Sequence, residues 1–406
     1  MRSQRVVIAG AGLGGLRAAE ALRASRYAGE VIVVGDEPWA PYNRPPLSKG
    51  ALGSRVDHAR LAFRIRGTAA DVTWRLGEAV LQADIEGGKV FLNGGEALRY
   101  DALVVATGVS ARRLPVPGPP PVAASGRHVV RTLEDAAALR AALRPSASVV
   151  VLGAGFIGCE VAATARALGC EVRCVALDPF PMVRPLGTEL GAELRRRHEA
   201  RGVVFHLGVR VSRILGESRV TGVELADGTE LAADVVVEAV GSRCNTGLLA
   251  GHGFDLTDGV LADAALRPLH DGSPVDGVAI VGDVARFPYP RFGDAAWRVE
   301  HWNVPADTGR RAGKVLAAFL AGTGYEQTVR QPFEVLPSFW SDQYEMRLQS
   351  FGMPGLADAG GIRLMEGDLS GECVAGYYRG PELVGVVAIG MTRAVMAYRD
   401  RVGRAA

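Results

Sequence analysis

Arg5-Val6-Val7-Ile8-Ala9-Gly10-Ala11-Gly12-Leu13-Gly14-Gly15 opens the chain with a β-branched run that breaks into glycines, and Ser148-Val149-Val150-Val151-Leu152-Gly153-Ala154-Gly155-Phe156-Ile157-Gly158 repeats it. An alanine-rich helical stretch follows each, Leu16 to Ala24 and Cys159 to Leu168. A lone G-x-G-x-x-G is a weak sign. Two of them, each set between a strand and a helix, predict two dinucleotide-binding halves. Gly10, Gly12 and Gly15, and again Gly153, Gly155 and Gly158, let the backbone turn tightly and approach a pyrophosphate lying on the helix N-terminus.

The halves repeat one another further along. Asp101 to Gly108 and Asp234 to Gly241 each read as a buried strand that runs from an aspartate to a glycine turn, carrying Ala106, Thr107 and Gly108 in one case and Gly241 in the other. A third apolar strand, Val278 to Val281, ends in Gly282-Asp283 with no glycine cluster before it, so it completes an earlier sheet. The expected fold class is α/β: two Rossmann-like dinucleotide-binding domains, the second inserted in the first, plus a small α+β C-terminal domain. The expected boundaries are 1–112 and 243–326 for the first, 113–242 for the second, entered through the proline-rich linker Pro115 to Pro121, and 327–406 for the last.

Composition bounds the function. The 406 residues are 48% hydrophobic, enough for two or three cores, and the formal net charge of +2 gives no overall field for nucleic acid. No apolar run reaches the roughly 20 residues a membrane helix needs. The chain enters a strand by Arg5, which leaves no room for a signal peptide, so a cytoplasmic protein is expected. The five cysteines, Cys159, Cys170, Cys174, Cys244 and Cys373, lack metal-site spacing, and none precedes Cys159.

Several positions carry candidate chemistry beside a plainer structural account. After Val31-Ile32-Val33-Val34-Gly35, Asp36 or Glu37 suits a ribose hydroxyl, with Glu37 favoured. Two prolines stiffen Arg44-Pro45-Pro46-Leu47-Ser48-Lys49 and fix Arg44 and Lys49 near the first glycine turn, either as charges for a cofactor ring or as an exposed turn. Glu160 suits the nicotinamide carboxamide, a pair with Lys49, or the helix dipole. In the second half Ala176 stands where a ribose-binding acid is normal, with Asp178 and Arg184 close by, which leaves NADPH open beside NADH. Asp283 reads as a ribityl acceptor or a helix cap. Trp302 and Trp340 read as ring-edge residues or core. Arg286, Arg291, Arg298, Arg310, Arg311 and Lys314 read as a surface that steers an acidic partner.

With these residues assembled, the chain resembles the FAD-dependent NAD(P)H–ferredoxin reductases of bacterial cytochrome P450 and Rieske oxygenase systems. The resemblance spans nearly the whole length. It rests on Gly10 to Gly15, Arg44 to Lys49, Ala106 to Gly108, Arg131 to Asp135, Gly153 to Glu160, Gly282-Asp283, Glu300 to Asn303 and Phe339 to Tyr344. It implies a glutathione-reductase-like fold, FAD in the first domain, NADH or NADPH in the second, and a [2Fe–2S] ferredoxin docking near Arg286, Arg291, Arg310 and Arg311. Lys49, Thr107, Arg131, Asp283 and Trp302 carry over as flavin neighbours, and Glu160 as the residue at the nicotinamide. The flavin is the catalyst, with Lys49, Glu160 and Trp302 tuning it. Departures are Ala176 for the usual acid, Phe180 for a frequent basic residue, and an end soon after Tyr398. A disulfide or peroxide reductase of the same fold needs a thiolate that the segment before Cys159 lacks. An NADH oxidase and a nucleotide-sensing redox protein are the remaining alternatives.

Overall fold

A computed structural model describes residues 4–404, which divide into two compact units. The first unit comprises Met1–Asn43, His58–Ser110 and Cys244–Pro337, and the second Arg44–Asp57, Ala111–Arg243 and Ser338–Ala406.

In the first unit, five parallel strands lie in the order Val278–Ile280, Ala102–Val105, Arg5–Ala9, Glu30–Gly35, Thr73–Leu76. Near-continuous burial along the inner strands explains their unbroken apolar sequences, since helices cover a parallel sheet on its faces. The run beginning at Val278 completes this first sheet, as expected. Helix Leu13–Ala24 packs on helix Asn303–Ala321 at backbone contact distance. A methyl on Gly309 would come within 2.5 Å of Gly14 O, and one on Gly313 within 2.7 Å of Ala18 O. Small residues four apart therefore set how closely these helices cross.

The second unit repeats the plan. Its parallel strands run Val203–Leu207, Glu171–Ala176, Ser148–Leu152, Val235–Glu238, Arg127–His128. A three-stranded antiparallel sheet, Val211–Leu215, Gly222–Leu225 and Glu230–Ala232, carries the Asp227-Gly228 hairpin. Ser338–Ala406 adds a five-stranded antiparallel sheet, ordered Ser338–Gln343, Met346–Gly352, Glu382–Ile389, Cys373–Arg379, Ile362–Gly367. Residues 327–337 fall in the first unit. The stretch Arg44–Asp57 differs from the expected boundaries, because it falls in the second. Leu52 is fully buried in a core cluster with Leu139, Val151 and Val161. The Thr164 hydroxyl also donates to Ser48 O at 3.1 Å. No helix among the described residues is long and apolar enough to cross a membrane.

The linker of the second unit is tied down by a buried charge cluster. Glu238 closes strand Val235–Glu238 and accepts from Arg127, Arg113 and the Leu114 amide, each at 2.8 Å. Nearby His128 is buried, and neither ring nitrogen has a hydrogen-bond partner among the described residues. Burial, helped by the Arg113 charge, pushes its pKa down from 6.5 to about 4. The folded chain therefore resists the proton that the unfolded chain accepts at 6.5. The stability held by neutral His128 is complete above pH 6.5 and falls as pH drops toward 4, by about 3 kcal/mol over that window. Urea unfolding at pH 7.5 and 4.5 checks this, and His128→Gln is expected to flatten the difference.

Candidate nucleotide-binding site

The two glycine turns have the same construction. Gly10 has φ 119° and Gly153 φ 104°, backbone that only glycine enters readily. A methyl on either would strike the next strand's end, 2.2 Å from Ala106 O or 2.2 Å from Ala239 O. One on Gly15 or Gly158 would lie 2.0 Å from the carbonyl of Gly10 or Gly153, so these glycines bring helix against strand. Gly12 and Gly155 are different: a methyl there meets nothing within 4 Å. Each is also the N-cap of its helix, without a side-chain capping bond. Two of the three glycines are thus required by packing, and the middle one keeps backbone bare. A phosphate group on a helix N-terminus needs that arrangement. The residues fit two dinucleotides, one per unit.

Backbone pairing aligns the candidate ribose positions of the two units. Gly10 N donates to Val34 O and Gly153 N to Val175 O, both at 2.7 Å. Gly35 therefore corresponds to Ala176, and Glu37 to Asp178. Ala176 is the last residue of its strand and buried. At the register of the favoured acid of the first unit, the second unit does hold an acid. Glu37 accepts from the Tyr42 hydroxyl at 2.5 Å, and Asp178 lies 3.3 Å from Arg184. Asp36 is exposed.

Further residues of the first unit gather at the strand ends. Thr107 Oγ1 donates to Asn245 O at 2.7 Å, Asn245 Nδ2 to Thr107 O at 3.0 Å, and Asn245 N to Gly108 O at 3.0 Å, which locks the turn after Ala106. Gly282 N donates to Thr308 Oγ1 at 3.0 Å. A methyl on Gly14 would meet Val281 Cγ1 at 2.7 Å, so Gly282-Asp283 follows directly on residues that touch the fingerprint helix. Asp283 sits within a short 3-10 turn whose N-cap is Val281, and Trp302 occupies the N-cap position of the long helix that follows. Trp302 is 38% exposed, and its indole N–H donates to Asn43 Oδ1 at 3.0 Å.

In the second unit, Glu160 is only 2% exposed. Lys49 Nζ lies 2.9 Å from its Oε2, the Ser48 hydroxyl donates to that oxygen at 2.5 Å, and the Ser341 hydroxyl donates to Oε1 at 2.6 Å. Of the three expectations for Glu160, the pair with Lys49 is realised. Burial pushes its carboxyl above the ordinary range, against the pull of Lys49 and the two hydroxyls. The serines escaped the sequence reading, although Ser341 lies inside a motif singled out for its aromatics. Arg44 donates to Arg131 O at 2.8 Å. Thr132 and Asp135 form a capping box just after Arg131. Gly241 has φ 100° at the end of its strand turn. Trp340 is half-buried beside Phe339, whose ring lies edge-on to Phe156 at 4.8 Å.

The arginine patch needs one correction. Arg311 is 6% exposed and donates to Val329 O and Gln331 O, so it is structural and removed from any surface. Adjacent helical residues point about 100° apart, so an inward-facing Arg311 sits next to an exposed Arg310. Arg286, Arg291 and Arg310 pair with Asp255, Glu334 and Asp307. All five cysteines are unpaired; four are buried, and burial pushes the thiol of the fifth, Cys244, upward. No group of three or more potential metal ligands occurs among the described residues.

Residues 4–309 match the family model described as pyridine nucleotide-disulphide oxidoreductase, and residues 338–406 match one described as reductase C-terminal. Rhodocoxin reductase of Rhodococcus erythropolis is 36% identical, over 97% of this chain and 88% of its own. The ferredoxin–NAD(+) reductase component of the p-cumate 2,3-dioxygenase system of Pseudomonas putida is 35% identical, over 91% and 85%. Among solved structures, the ferredoxin reductase for the CYP199A2 system of Rhodopseudomonas palustris superposes with TM-score 0.86 at 35% identity, covering 98% of this chain and 93% of that one. The reductase in the covalent putidaredoxin reductase–putidaredoxin complex gives 0.88 at 30%, covering 99% and 94%.

Proposed function

The chain belongs to the pyridine nucleotide-disulphide oxidoreductase family, among its ferredoxin reductases, and from that premise we propose that it carries electrons from NADH through FAD to a [2Fe–2S] ferredoxin serving a cytochrome P450 or Rieske oxygenase. The observation that carries this reading is the duplicated cradle, in which Gly12 and Gly155 alone leave room for a phosphate. Bound FAD would supply a two-electron hydride acceptor and a one-electron donor, so that NADH and two oxidised ferredoxins would give NAD+, two reduced ferredoxins and one proton.

The protein's own residues bind and orient. Gly10, Gly12, Gly15, Glu37 and Asp283 hold the FAD nucleotide, with Thr107 and Trp302 beside them. Gly153, Gly155, Gly158 and Asp178 hold the NADH nucleotide, with Glu160 at the nicotinamide and Lys49 fixed by Glu160. Asp178 carries the specificity: its carboxylate repels a 2′-phosphate and already engages Arg184, which favours NADH over NADPH. Arg286, Arg291 and Arg310 remain in the proposed docking surface as a mixed-charge patch. The cytoplasmic location belongs to the same proposal. A disulfide reductase is disfavoured because no cysteine precedes Cys159.

The test is anaerobic stopped-flow reduction of the bound flavin by NADH and NADPH in parallel, followed by addition of a [2Fe–2S] ferredoxin. Fast reduction by NADH and onward transfer are expected; a preparation that cannot be loaded with FAD overturns the reading. Asp283→Ala is expected to weaken FAD retention about tenfold, the worth of one good charge-assisted hydrogen bond. Equilibrium dialysis of the flavin measures it, and undiminished retention excludes Asp283 from the site.

A further inference from the structure

Behind Glu160 runs a line of enclosed polar groups that a lysine–glutamate pair does not by itself require. Ser341, Gln343 and His198 are all fully buried. Ser341 and Gln343 project from the same face of strand Ser338–Gln343, two residues apart, and His198 comes from the last turn of helix Val183–Glu199. The Ser341 hydroxyl donates to Glu160 Oε1 at 2.6 Å, and Gln343 Nε2 donates to Ser341 Oγ at 3.0 Å. Gln343 Oε1 lies 2.7 Å from His198 Nε2, and the Tyr344 hydroxyl 3.2 Å from His198 Nδ1.

Chemistry fixes the direction of this line. An ionised Glu160 only accepts, so the single Ser341 proton points to it and Ser341 Oγ must take the Gln343 amide N–H. The amide oxygen is then left to accept, so His198 carries its proton on Nε2, and Nδ1 accepts from Tyr344. The other oxygen of Glu160 serves Lys49 and Ser48. The ionisable groups around this line include the buried Cys159 thiol beside Glu160, Arg201 stacked over the Tyr344 ring and ion-paired with Glu345, and Arg166 and the Cys174 thiol near that tyrosine.

We propose that Ser341, Gln343 and His198 are positioning residues for Glu160: a one-way series of donors that holds its carboxylate ionised and aimed, and that reverses as a unit when Glu160 takes up a proton. The proposal rests on the functional reading only for the use made of Glu160. In the reversed state Glu160 donates to Ser341, Ser341 donates to a flipped Gln343 amide oxygen, and the amide nitrogen donates to His198 Nε2. His198 then carries its proton on Nδ1 and donates to Tyr344. The net change is one proton taken up, at Glu160. Because none crosses the amide, His198 gives its Nε2 proton to solvent and takes one at Nδ1 from solvent when the site transiently opens, and the Tyr344 hydroxyl turns its own proton away so that its oxygen accepts. The histidine tautomer thus reports the state of a carboxyl it never touches.

The test uses FAD-loaded protein with 15N-labelled histidine and no nicotinamide, so it stands or falls separately from hydride transfer. Long-range 1H–15N spectra at pH 7, with His198 assigned by its loss in His198→Gln, are expected to show the neutral Nε2–H form. In Glu160→Gln the new amide turns its oxygen to Lys49 and its NH2 to Ser341, so His198 is expected to switch to the Nδ1–H form. An imidazolium or Nδ1–H form in the unmodified chain, or an unmoved tautomer in Glu160→Gln, overturns the proposal. Independently, Ser341→Ala is expected to raise the infrared titration midpoint of Glu160 by about one pH unit, a tenfold change in proton affinity, with Ser341→Thr restoring it. An unchanged midpoint in Ser341→Ala also overturns it.

Discussion

Gly155→Val is expected to leave the chain folded and yellow with flavin while raising the KM for NADH about 100-fold, equivalent to roughly 2.7 kcal/mol of lost binding. Gly155 has φ −81° and ψ −164°, extended backbone that valine adopts without strain, and its added carbon meets nothing within 4 Å. Nothing in the folded chain resists the first added carbon. What it obstructs is the approach of a pyrophosphate to the helix N-terminus. Gly158→Val is the informative contrast, because its first added carbon lies 2.0 Å from Gly153 O and must push helix Phe156–Ala167 off its strand. That variant is expected to lose helical circular dichroism and urea resistance. Flavin absorbance per chain, circular dichroism and stopped-flow flavin reduction separate the outcomes. An unaltered NADH dependence in Gly155→Val means that no nucleotide phosphate lies there.

The largest effect on stability is expected at Glu238. Its side chain is fully buried and answers two arginines, one of which, Arg127, is itself 3% exposed. Burial pushes the carboxyl up, but bonds from Arg127, Arg113 and the Leu114 amide outweigh it, and the net shift is downward. Glu238→Ala leaves Arg127 charged, enclosed and unanswered, which costs about 3–5 kcal/mol. Urea denaturation measures it, and a loss below about 1 kcal/mol would place the cluster among dispensable ion pairs. The pH dependence has a defined sign. With a folded pKa below the unfolded one, the contribution of Glu238 is complete above 4.5 and disappears as pH falls through the folded value. Glu238→Ala should therefore lose less to acid than the unmodified chain does.

Local signals made much of this molecule readable from its residues. A β-branched run ending in glycines, then alanines, has one compact solution, and both copies adopt it. The strand beginning at Val278 was readable because it lacked a glycine cluster of its own. Long-range placement was not readable. Arg44–Asp57 follows the first fingerprint in sequence, yet Leu52 belongs to a core built around Val149 and Val161. The serine partners of Glu160 lie 112 and 181 residues away along the chain, beyond any periodicity. The arginine patch mixed surface residues with Arg311, because counting charge ignores which side of helix Asn303–Ala321 faces inward. The candidate ribose acid was hidden for another reason: strand Glu171–Ala176 runs to Ala176, and the Gly153–Val175 bond is what aligns Asp178 with Glu37.

The sheet begun by Arg5–Ala9 has as one outer strand Val278–Ile280, and the helix carrying the first glycine turn rests on Gly309 and Gly313. A polypeptide emerging from the ribosome therefore exposes its first glycine turn long before the material that completes it is synthesised. Meanwhile the five-stranded parallel sheet of the second unit, all of it between Arg127 and Glu238, already has its full complement. The strands of the second unit's parallel sheet are thus all synthesised before the first unit's sheet is complete, since strand Val278–Ile280 and the helix ending at Ala321 come later.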